Sequence, residues 1–187
     1  MKKLFLFSLS TLLIYAASAQ EDFKDCGNQK PGTVTEWQAC VVGKQMPRFK
    51  EKTTAGEKLR SENLKGKILV INFWFTTCPP CVAEIPALNK VREEYDNKNI
   101  RFLSITFDDK WTVGKFLKRL SFNFDNVVDA SFTRDAFGIR IYPTTFVIDQ
   151  NGVITNTWVG GSNAEKNEQA YQRIKPVLDQ LLKQSTQ

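Results

Sequence analysis

An apolar run, Ile68 to Phe75, leads into Cys78-Pro79-Pro80-Cys81, and no other stretch constrains the fold as much. Beyond it, Val82, Ile85, Leu88, Val91 and Tyr95 recur at three- and four-residue spacing, which predicts a helix. The chain therefore passes from a strand through a tight junction into a helix that carries two sulfurs at its start. Cys-x-x-Cys beside such a strand–helix pattern reads as a thiol–disulfide redox site. The competing reading, half of a zinc site, finds no second half: there is no His, and Cys26 and Cys40 are not paired at ligand spacing. The absence of His also excludes Ser-His and Cys-His nucleophiles.

The spacing assigns different work to the two cysteines. Cys78 is expected at the N-cap and Cys81 one turn inside. Unpaired N–H groups and the positive end of the helix dipole favour a thiolate there. The thiolate is the attacking species, so Cys78 is the candidate nucleophile and Cys81 the deeper, resolving thiol. Pro79 and Pro80 fit the first helical turn, where a missing N–H breaks no bond. They also remove two donors from the neighbourhood of the Cys78 sulfur. We expect a modestly lowered Cys78 pKa, suited to a reductase rather than a strong oxidant. Glu84 follows Cys81 by three residues and shares its helix face. Buried, it would have a raised pKa and could take the Cys81 proton. Solvated, it would be an ordinary acid near a helix start. Spacing alone leaves these two readings open.

Three motifs together resemble the TlpA/ResA-like branch of extracytoplasmic thioredoxins. They are Val42-Gly43-Lys44-Gln45-Met46-Pro47-Arg48-Phe49, the segment Gly66 to Trp74 running into Cys-Pro-Pro-Cys, and Tyr142-Pro143-Thr144-Thr145-Phe146. The match covers about residues 42–184. It implies a function for the acid three residues after the second Cys, here Glu84. It implies a cis Tyr142–Pro143 bond packed against the cysteine pair, with the Tyr142 backbone open to an added substrate strand. Trp74, Thr77, Pro79, Pro80, Tyr142 and Pro143 are the residues expected to meet substrate. One departure stands out: the family has Trp immediately before the first Cys, and here it is Thr77.

Met1 to Ala19 reads as a signal peptide, with Lys2 and Lys3, an apolar run from Leu4 to Tyr15, and Ala17-Ser18-Ala19 at the cleavage site. The run is too short for a transmembrane helix. An uncleaved anchor, which the resemblance allows, is the alternative. Cys26 lacks a preceding lipobox-like run, which argues against a lipoprotein. Removing the two lysines lowers the net charge from +6 to +4. Charge is mixed along the chain with no dense basic tract, so nucleic acid is not expected as a partner.

Residues 20–41 are polar and read as an extension outside the main fold. Export would place Cys26 and Cys40 in an oxidising compartment, where a structural Cys26–Cys40 disulfide is the simplest reading. A second redox pair is the alternative. The remaining 42–187 form one expected domain; the chain as a whole, 187 residues with 42% hydrophobic content, is ample for a packed core.

The pattern predicts a hairpin over 47–60, a helical turn over 61–65 and the central strand from Gly66. A helix over 79–96, bent at Pro86, and a strand over 100–107 come next. Asp108-Asp109 should cap a helix over 110–120 that buries Trp111, Phe116 and Leu120. A short strand at 126–128 and a helix over 131–137, closed by Gly138, lead to a strand that starts near Pro143. Asp149 to Gly152 should turn that strand into an antiparallel partner over 153–159, ended by Gly160-Gly161. The last helix, 163–183, should bury Tyr171, Ile174, Leu178 and Leu181, with Pro176 bending it. The order gives an α/β fold, a mixed sheet flanked by helices with a parallel right-handed crossover between the strands at 68–75 and 100–107; the resemblance implies that it is thioredoxin-like.

The leading function is an exported, periplasmic thiol–disulfide oxidoreductase that needs neither cofactor nor metal. The resemblance implies protein substrates with disulfides or thiols, apocytochrome c among them, and a membrane electron donor of the DsbD type. Two alternatives compete. A peroxidase would need a Pro-x-x-x-Thr-x-x-Cys-like site, but Ile71 and Phe75 stand where the Pro and Thr would be. A binding module without turnover would gain little from an intact Cys-Pro-Pro-Cys at a helix start.

Overall fold

The computed structural model describes Phe23, Cys26 and residues 32–96, 99–160 and 168–184. The signal-peptide reading of Met1 to Ala19, Gly161 and the expected start of the last helix lie outside these residues.

Five strands form the main sheet: β3 (Ile68–Phe73), β4 (Ile100–Ile105), β5 (Asp125–Val127), β6 (Thr144–Ile148) and β7 (Ile154–Val159). Their order is β5-β4-β3-β6-β7. β3, β4 and β5 run parallel, and β6 and β7 are antiparallel to their neighbours. A separate antiparallel pair, β1 (Lys50–Lys52) and β2 (Lys58–Arg60), precedes a 3-10 turn at Ser61–Leu64. The helices are α1 (Val34–Val41), α2 (Pro79–Glu94), α3 (Lys110–Leu117), α4 (Ser131–Ala136) and α5 (Gln169–Gln184).

β3 is central and buried along its whole length, which is why its sequence is a near-continuous apolar run. Side chains alternate between its faces. Ile68, Val70 and Trp74 join the core beneath α2 and α5, with Cys78, Cys81, Ile85, Leu88, Ile174 and Leu178. Leu69, Ile71 and Phe73 join the opposite core, with Phe137, Phe146, Ile148 and Val41. The same alternation sends Asn72 to the α2 side.

That second face corrects one expectation. The 20–41 segment, where described, is not outside the packed fold. Phe23 and Val41 are buried. Phe23 packs edge-on against Phe137, and Trp37 against Phe146. Gln38 Nε2 donates to the Thr157 carbonyl on β7 at 2.8 Å. A sheet with two apolar faces needs two covers, and α2 with α5 supplies only one. Thr33 closes a reciprocal capping box with Glu36, giving this short helix a defined start.

Two helix readings also change. Trp111 is 68% exposed, and Val113 takes its place beside Phe116 in the core. The Asp109 cap starts the helix there by accepting from the Trp111 and Thr112 N–H groups, and the resulting phase turns Trp111 to solvent, with Lys115 over its ring. The helix also stops at Leu117 rather than reaching residue 120. Tyr171 is only half-buried, because its hydroxyl is spent on the Glu94 carboxylate at the surface between α5 and α2.

Candidate active site

β3 ends at Phe73, and α2 begins at Pro79 with Cys78 as its N-cap. The Cys78 backbone is extended (φ −93°, ψ 102°), which turns its side chain back over the helix start. The Cys81 N–H donates to the Cys78 sulfur at 3.3 Å. Pro79 and Pro80 occupy the first two helical positions and contribute no donor there. The two sulfurs are bonded at 2.01 Å, so the site is in its oxidised form. Cys78 is 3% exposed and Cys81 1%, so the difference in access between them is slight in this state.

Glu84 lies on the inward face of α2 and is 5% exposed. Its Oε1 accepts from Asn72 Nδ2 at 2.8 Å. Burial pushes its pKa up to about 7, while the Asn72 donor and the Arg173 charge on α5 pull the other way. Of the two readings that spacing left open, the buried one describes the structure. The Asn72 amide also donates to Thr145 Oγ1 at 3.0 Å. Sequence reasoning missed both Asn72 and Thr145. The available signal was a lone amide side chain inside an otherwise apolar strand, where an unpaired polar group is costly.

The expected substrate-facing residues divide. Thr77 and Pro79 are exposed, and Pro80 and Tyr142 are partly so. Pro143 is buried, and the Tyr142–Pro143 bond is cis. Trp74 cannot meet a substrate here, because it is fully buried against Phe116 and Phe122, at 5.1 and 5.3 Å between ring centroids. Strand alternation turns it beneath the cysteine pair, away from the surface.

With Thr77 in place of the family's Trp, aromatic surface comes from elsewhere. Phe75, Phe107 and Tyr142 pack mutually, with centroids 5.1 to 5.9 Å apart. They come from three segments that meet at the end of the sheet where Cys78 lies, and Arg134 stacks over Phe107 at 5.6 Å. Thr76 N–H donates to Asp108 Oδ2 at 2.7 Å, tying the cysteine loop to the turn after β4. Periodicity could not reveal this grouping, since Phe75 and Phe107 each look like the last residue of a strand. Among the described residues no cluster of His, Cys, Asp and Glu could hold a metal ion, and no helix is long and apolar enough to cross a membrane.

The AhpC/TSA family model matches residues 42–157. The thiol-disulfide oxidoreductase ResA of Halalkalibacterium halodurans is 33% identical over 137 residues, covering 72% of this chain and 78% of the relative. The chain is a ResA-like thiol–disulfide oxidoreductase of the AhpC/TSA family. The thioredoxin-like protein YneN of Bacillus subtilis is 34% identical over 131 residues, 68% of this chain and 76% of that protein. Among solved structures, a thioredoxin-family thiol:disulfide interchange protein from Chlorobium tepidum superposes with a TM-score of 0.57 at 27% identity, covering 69% of this chain and 94% of the other. StoA from Bacillus subtilis does so at 0.56 and 25% identity, covering 66% and 96%. The AhpC/TSA match begins at Val42, so α1 and the Cys26–Cys40 pair lie outside the family model that this oxidoreductase matches.

Proposed function

We propose that this oxidoreductase is an exported reductase of protein disulfides. The observation that carries the reading is the Glu84 carboxyl, buried three residues beyond Cys81 and poised to exchange protons near pH 7. In the reduced enzyme the Cys78 thiolate attacks one sulfur of a substrate disulfide. That bond breaks, the substrate's other sulfur leaves as thiolate, and a Cys78–substrate disulfide forms. Glu84, as carboxylate, then takes the Cys81 proton. The Cys81 thiolate attacks the Cys78 sulfur, releasing the second substrate thiolate and closing the Cys78–Cys81 disulfide found in this structure. Two electrons pass to the substrate, and an external dithiol donor must return them.

Thr77, Pro79 and Pro80, which flank Cys78 in the chain, and the partly exposed Tyr142 would receive the substrate segment. A membrane donor of the DsbD type and substrates in cytochrome c maturation, implied by the family resemblance of the sequence, are part of this proposal. The Cys26–Cys40 disulfide accords with an oxidising, extracytoplasmic compartment.

Cys81→Ser tests the reading. Expressed in its native compartment, this variant should accumulate mixed disulfides on Cys78, and mass spectrometry of the adducts identifies the substrates. Recovery of no adduct, together with no insulin-disulfide reduction by the wild type, refutes it.

A further inference from the structure

We propose that Asn72, anchored by Thr145, is the positioning residue for the Glu84 carboxyl and controls how readily that group releases its proton. The inference rests on the reading of Glu84 as proton acceptor and adds the residues that govern it. Asn72 sits mid-sheet, directly opposite Thr145 in the β3–β6 ladder, so their side chains share the α2 face. An amide nitrogen has two hydrogens, and this one uses both: one on Glu84 Oε1 at 2.8 Å, the other on Thr145 Oγ1 at 3.0 Å. All three residues are buried.

The Thr145 oxygen anchors the second N–H of the amide and so holds its nitrogen beside Glu84. Turned over, Asn72 would set its own carbonyl oxygen against the Glu84 carboxylate, which the carboxylate itself disfavours. With the nitrogen held there, Glu84 faces an N–H, and a donor favours the ionised form. The charged group acting on Glu84 from another packed element is Arg173 of α5, which works in the same direction. On its own helix the neighbouring Cys78 and Cys81 carry no charge while bonded. Asn72 is thus the main counterweight to burial. It lets the carboxyl be both secluded and able to ionise near neutrality.

The test follows the Glu84 carboxyl carbon by NMR through a pH titration of the full oxidised protein. Asn72→Leu should raise the midpoint by about one pH unit, a tenfold change in proton affinity. Thr145→Val should raise it by less, and Thr145→Ser should restore it. The pH profile for resolving a Cys78 mixed disulfide should move alkaline in step. A purely structural role would lower the melting temperature of both variants and leave the midpoint in place, which overturns the proposal. Thr145→Val alone decides the matter if Asn72→Leu does not fold. If the midpoints move but the resolution profile does not follow, Asn72 control stands and the reading of Glu84 as proton acceptor falls.

Discussion

The two disulfides of this protein are the same bond in unlike settings. Cys26–Cys40 closes a segment with a sequence separation of 14, and Cys78–Cys81 one of 3. The first ties down the cover of one sheet face, beside Phe23 and Trp37, at the end of α1 rather than its start. The second sits at a helix N-terminus, with a backbone N–H on one sulfur and a titratable carboxyl one turn further on. Seclusion does not mark the reactive pair, since Cys26 is nearly as inaccessible as Cys78 and the most open of the four cysteines is the half-buried Cys40. The distinction lies in what surrounds the sulfur: donors, dipole and a proton acceptor on one side, packed aromatic rings on the other.

The largest test of this contrast is catalytic. Cys78→Ser should abolish disulfide reduction, a loss of at least about a thousandfold for removal of a covalent nucleophile. The Cys26→Ser/Cys40→Ser double variant should keep the reaction in insulin assays well below its melting temperature. If the double variant were equally inactive, the outer pair would be part of the redox relay. Its expected cost is instead stability, about 3 kcal/mol for a loop of this length, read from denaturant midpoints. Mild reduction with a dithiol, followed by alkylation and mass spectrometry, should label Cys78 before Cys26 or Cys40.

Glu84 supplies a comparable but pH-dependent effect. Its pKa is raised from the ordinary 4.5 to about 7 in the folded protein, so the folded state holds a proton that the unfolded chain releases. Stability is therefore fully present below pH 4.5 as far as this group is concerned, and falls as pH rises toward 7. The loss should reach at most about 3 kcal/mol. Glu84→Gln should flatten that dependence in urea melts at pH 5 and pH 8, and should slow mixed-disulfide resolution above neutrality. The smallest effect belongs to the aromatic group: Phe75→Ala should weaken substrate turnover by up to about tenfold, the worth of one or two ring contacts, without moving the Glu84 titration.

Much of the site could be read from the chain because its chemistry is local. Cys78, Cys81 and Glu84 lie within two helical turns, and the apolar run before them specifies a strand. Asn72 and Thr145 were missed because their partnership spans 73 residues and exists only in the sheet ladder. Trp111 was misplaced because its periodicity suited a buried stripe, whereas the Asp109 cap sets the helix phase that turns it outward. The 20–41 segment looked detachable because it is polar overall. Its few large apolar residues, Phe23, Trp37 and Val41, are the ones that pack.

The pairing of β3 with β6 has one more consequence. Asn72 meets Thr145 because these two positions are aligned, with Ile71 beside Phe146 and Phe73 beside Thr144. Sliding β6 by a single position would deliver Thr144 or Phe146 to Asn72 and send Thr145 to the far side. Such a molecule would still be compact and still carry its vicinal thiols, yet its buried acid would have lost its tuning. Alignment between two neighbouring strands is in this sense a chemical variable, inherited silently through the length of every insertion or deletion in the connections around them.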